Sequence, residues 1–213
     1  MWAILYTLFP LAAVIIGAVL SVVRRPGPAF VSGMQHLAAG VVFAAAASEV
    51  LPQIKHGASP VATLIGGLVG LGVMLLLKVL EGRAKGPVAM LGAVGIDIFV
   101  DGLVLGLAFL AGEKAGLLLT VALTLEVMFL GLTVTAELGE TIVSRWRIVG
   151  ITAALGLLLP FGAWIAAPVA LFPPTVIVGF LSFGMVALLY LVTEELLVEA
   201  LFPVSANGTD LRL

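Results

Sequence analysis

The sequence predicts an all-α protein, a polytopic membrane bundle of about seven transmembrane helices, and three observations carry that prediction. Hydrophobic residues make up 62% of the 213 positions and charged residues only 10%. Soluble domains carry about 25% charged residues, and the mean hydropathy of +1.28 lies far from theirs. The apolar residues also fall in runs of about 20 or more, the length needed to cross a hydrocarbon core about 30 Å thick. Finally, Lys and Arg collect in alternate breaks between those runs, as the positive-inside rule requires of a chain that threads the bilayer.

Breaks at Arg24-Arg25-Pro26, Lys55-His56-Gly57, Gly82 to Pro87, Gly112-Glu113-Lys114, Arg145-Trp146-Arg147 and Pro173-Pro174 delimit the spans. They fall at about residues 2–23, 29–52, 60–81, 87–111, 115–143, 147–170 and 175–202. The first run has no basic segment before it and reads as a retained helix rather than a cleaved signal. One transmembrane domain over residues 1–203 is expected, followed by a short cytoplasmic tail at 204–213. Arg24, Arg25, Arg83, Lys85, Arg145, Arg147 and Arg212 lie on one side, with Lys78 near it, against Lys55 and Lys114 on the other. This bias places the N-terminus outside and the C-terminus inside, in what we expect to be a bacterial inner membrane. On that topology the Asn207-Gly208-Thr209 sequon lies in the cytoplasm and is fortuitous.

Several function classes drop out. A net charge of -2 with dispersed basic residues gives no footprint for nucleic acid. With no cysteine there is neither a disulfide framework nor a thiolate site. No Ser, His or Cys constellation lies deep in a span, so an enzyme is not expected, and no phosphate-binding loop implies ATP.

What remains is acid inside the membrane. Glu49, Asp97, Asp101, Glu126, Glu137, Glu194 and Glu195 fall within predicted helices, where Lys78, near a span end, is the only base. A charge at the bilayer centre costs between about 2.5 and more than 10 kcal/mol, and intramembrane ionisable residues usually face a bundle interior or a water-filled path. These acids therefore need cations, protons or both. Asp97 and Asp101, four apart, share one face of the fourth helix, and Glu126 lies mid-way along the fifth. Glu137 and Thr133 lie on the acidic face of that fifth helix. Protonation and packing against a neighbour is the lesser alternative for any one of these acids, and a weaker one still for the three together.

Placing Asp97 on Glu126 aligns IDIFVDGLVLGL with LEVMFLGLTVTA, and Gly102 then meets Gly131. Because adjacent spans run oppositely, helices four and five are expected to be an inverted pair, an arrangement common in secondary transporters. Helices two and seven each begin with small residues and end in acid, at Glu49 and at Glu194 and Glu195. His36, at the start of helix two, fits a hydrogen-bonded interfacial residue better than a ligand. Gly66, Gly67, Gly70 and Gly72 give helix three a small-residue face, which serves either a homodimer or internal packing.

These segments resemble the ZIP (Zrt/Irt-like protein) family of divalent-metal transporters along nearly the whole chain. HLAAGVVFAAAASEVLP is similar to that family's second helix, VGIDIFVDGLVLGLAF to its fourth, TLEVMFLGLTVT to its fifth and LVTEELLVEALF to its seventh. The resemblance implies a divalent metal transporter with Asp97 at the position of the metal-binding His, Asp101 at that of the acid, and Glu126 at that of the fifth helix's His or Gln. Glu49, Glu137, Glu194, Glu195 and His36 are then candidates for the pathway. Leu130 replaces the fifth helix's acid, Ile98 and Val127 replace the polar ligands of a neighbouring second site, and no eighth helix follows Glu199. Val100 and Phe129 stand where the family has prolines, which removes the reason for bends there. Carboxylates with water suit harder cations better than zinc, so the cargo is left as Zn, Mn, Fe or Mg. Alternative expectations are a proton-coupled transporter of another solute on the same scaffold and a non-transporting, metal-binding membrane subunit.

Overall fold

The computed structural model describes residues 2–23, 27–57, 59–83, 87–141 and 144–193. Every element among them is helical, and seven helices are long and apolar enough to cross a membrane. The chain is an integral membrane protein, an all-α polytopic bundle. Helix α1 covers Leu8–Val23, preceded by a short turn of helix at Trp2–Tyr6. Helix α2 runs Pro28–Ala45 and continues through a π-helical segment, Ala46–Val50, into Leu51–His56. Next come α3 (Pro60–Arg83), α4 (Pro87–Ala111) and α5 (Glu113–Thr141). Helix α6 has two parts, Arg145–Gly156 and Leu158–Ala166, ending in a 3₁₀ turn at Ala167–Leu171, and α7 is Pro174–Leu191.

Proline chemistry locates the irregularities. Thr7, where the first helix breaks, lies three residues before Pro10, and its hydroxyl donates to the Ile4 carbonyl at 2.6 Å. The π segment of α2 lies just before Pro52, and Leu157 divides α6 three residues before Pro160. Each proline removes an N–H from the ladder and crowds the turn behind it. With Val100 and Phe129 in place of prolines, α4 and α5 run without interruption, as expected.

These two helices form the centre. They are joined through Gly112 alone, and the Phe109 ring covers Gly116, where a side chain would have no room. In its membrane window α4 is 61% buried and α5 56%, against 11% for α3. Helix α1 packs along α5 and α6 along α4, while α2 and α7 lean on α5 and α4 respectively. The glycines aligned between helices four and five play matching parts. A Cβ on Gly102 would strike the Leu159 carbonyl of α6, and one on Gly131 would come within 2.5 Å of the Val14 carbonyl of α1. Each central helix thus meets its outer partner backbone to backbone at the same repeat position, the close approach that small residues permit between helices in lipid.

The glycine face of α3 is turned inward. Gly66 abuts Gly179 and Gly70 abuts Phe183, both through α7 backbone, and the Ser182 hydroxyl donates to the Thr63 carbonyl at 2.7 Å. Internal packing takes Gly66 and Gly70, whereas Gly72 has nothing within 4 Å. The opposite side of α3, with Leu64, Leu68, Leu75 and Leu76, is exposed, as a lipid-facing surface would be.

Candidate functional site in the central hairpin

Asp97, Asp101 and Glu126 are all buried, at 9%, 0% and 6% exposure, in the two helices most enclosed by the bundle. Burial follows from the surrounding sequence. Ile98, Val104 and Leu105 around the aspartates, and Leu123, Val127 and Phe129 around the glutamate, are buried apolar residues that carry both helices into the core. Gly102, beside Asp101, then lets α6 approach so closely that its backbone closes that side.

The depths of the three acids are set by their distance from the Gly112 turn. Asp97 lies fifteen residues before it and Glu126 fourteen residues after. At about 1.5 Å per residue both lie about 21–23 Å from the turn, well inside their helices. Asp101, one turn nearer, lies about 6 Å above them by the same rise. The inverted alignment that paired Asp97 with Glu126 therefore also pairs them in depth. None of the three side chains stands free. Among the described residues, however, no three of His, Cys, Asp and Glu converge on a point where they could hold a metal ion, so these acids are buried together without being gathered into one cage.

The positions where the resemblance loses a second site are apolar and enclosed: Ile98 and Val127 are 1% and 0% exposed. Leu130 is partly buried against the same core. Hydroxyls accompany the acids on α5, though most are turned to their own helix. Thr120 donates to the Gly116 carbonyl at 2.7 Å, Thr124 to that of Thr120 at 2.6 Å, and Thr133 to that of Leu130 at 3.1 Å. Thr135 differs, sharing a 3.2 Å hydrogen bond with Thr152 of α6 in a buried position.

The outlying candidates divide. Glu137 is exposed on the last turns of α5. His36 is exposed too, with its Nδ1–H donating to the Ser32 carbonyl at 2.8 Å. Glu194 and Glu195, like the 204–213 tail and Glu199, lie outside the described residues. Glu49 lies in the π segment of α2 with its side chain 14% exposed, and it accepts a 2.9 Å ion pair from Lys114 in the first turn of α5. In the sequence Lys114 reads only as a loop charge. The available signal was its rarity, because just one other base, Lys55, lies on that side of the predicted topology.

A scan against protein-family models finds no match to this chain, and a search of curated proteins finds none either.

Proposed function

We propose that this membrane protein moves a divalent cation across the bilayer, using Asp97, Asp101 and Glu126 as successive oxygen ligands. The observation that carries the reading is the burial of three carboxylates on the two innermost helices, two of them at matching depth. Acids placed there at a cost of several kcal/mol each are expected to face a transport path. The ZIP-like motifs of helices two, four, five and seven support the same class, with Zn, Mn, Fe or Mg as cargo. In this reading the N-terminus faces outside and the C-terminus the cytoplasm of an inner membrane. Metal enters beside Lys114 and leaves past Glu137. Because the acids are not gathered into one set, the cation passes between pairs of carboxylates with water completing its shell, as harder divalent ions allow. The inverted central pair provides two related halves that rock against each other.

The same observation favours a second reading, in which separated acids carry protons and drive another solute. Liposomes reconstituted with the purified protein and loaded with a metal-sensitive dye separate the two. Under the first reading dye signal rises on addition of external Mn²⁺ and is blocked by an external chelator. Under the second, Mn²⁺ gives no dye signal, and solute uptake depends on the pH gradient but is indifferent to added metal or chelator.

A further inference from the structure

The Glu49–Lys114 pair has an unusual setting. Its carboxylate is largely enclosed, its ammonium is 79% exposed, and the two are 2.9 Å apart. Glu49 belongs to the five-residue π segment of α2, which touches α4, α5 and α7 at once. Two residues after that segment stands Pro52, with no N–H to tighten the turn behind it. π-helical insertions of this kind weaken the local ladder and recur at functional sites. Lys114 reaches this carboxylate from the first turn of α5, two residues beyond the Gly112 turn. Asp101 lies eleven residues before the same turn, about 16 Å deeper at the helical rise. Glu49 is therefore a carboxylate standing above the buried acids, on the side where the hairpin turns, with a cation already seated on it.

Resting on the cation-transport reading, we propose that Glu49 is an outer binding position for the transported cation and that the Lys114 ammonium is a tethered occupant of that position. An arriving divalent ion displaces the ammonium, takes the Glu49 carboxylate as its first protein ligand, and moves down to Asp101 and then to the level of Asp97 and Glu126. A pair whose lysine is this exposed is weak enough to exchange. The lysine's single charge at the same carboxylate also disfavours occupancy by monovalent ions, which gain less from displacing it.

The test measures Mn²⁺ uptake against concentration in liposomes containing wild type, Lys114→Met, Lys114→Arg or Glu49→Gln. Removing the tethered competitor should lower the concentration for half-maximal uptake by about two- to fivefold in Lys114→Met, the factor that an exposed ion pair represents. Lys114→Arg, which keeps the charge, should stay near wild type, and Glu49→Gln should raise the half-maximal concentration. The single-substitution variants are compared at equal reconstituted amounts, so a folding defect appears as lost maximal uptake rather than a shifted midpoint. A Lys114→Met curve whose midpoint equals or exceeds that of a transporting wild type overturns the role of Lys114 and leaves the transport reading standing. A wild type that takes up no divalent cation overturns both.

Discussion

Gly102 has room for a hydrogen and nothing larger, because the Leu159 backbone carbonyl of α6 occupies the space a side chain would need. Gly40 on α2, by contrast, has nothing within 4 Å of an added Cβ. Gly102 follows Asp101 and Gly40 follows Ala39, and neither setting reveals which glycine meets a neighbouring backbone, yet the two make opposite predictions. Gly102→Ala should destabilise the protein by about 1–3 kcal/mol through overpacking, read as a lower thermal midpoint in detergent. Gly40→Ala should leave that midpoint unchanged or raise it, since alanine is the better helix former. Equal midpoints for the two variants would show that α4 and α6 are not in backbone contact. The acids were legible for a different reason. A carboxylate in an apolar run is conspicuous wherever it points, and the costs of burying it make a path-facing or partnered position the expectation. That Asp101 is wholly enclosed while Glu137 is exposed depends on neighbouring helices, which one helix's periodicity does not specify.

Helices are where the sequence was most informative. All seven spans appear, and α4 begins and ends at the predicted residues 87 and 111, because Pro87 starts it and Gly112 stops it. The interruptions were less legible. Prolines at 10, 52 and 160 lie inside runs apolar enough to span, and hydropathy averages over the turn they disrupt. The sequence alone allows α3's glycine face to serve either a dimer or internal packing. The choice is resolved at Gly66 and Gly70 by contact with α7, and at Ser182 by a hydrogen bond across the helices. Ser182→Ala should therefore cost about 0.6 kcal/mol, and at most about 1.7, the range for interhelical hydrogen bonds in lipid. Hydrogen exchange would register it as faster opening of α3, the helix with the smallest buried share. Unchanged exchange in α3 would mean that glycine packing alone holds the pair.

For the whole molecule, the proposed topology rests on charge asymmetry and can be checked cleanly because the chain contains no cysteine. Single cysteines replacing Leu171 and Ser144, both exposed, sit at opposite ends of α6. In intact cells Leu171→Cys should react with a membrane-impermeant maleimide and Ser144→Cys should react only after lysis; the reverse pattern would invert the proposed orientation. Transport itself rests on the central hairpin, and its most direct test is initial Mn²⁺ uptake into liposomes by wild type and by Asp97→Asn with Asp101→Asn. Both substitutions keep side-chain volume while removing the charge that would hold a divalent ion. The account predicts uptake by the wild type and a loss of at least about tenfold in the double variant, the factor for 1.4 kcal/mol of lost interaction. Uptake by the double variant at the wild-type rate would contradict it.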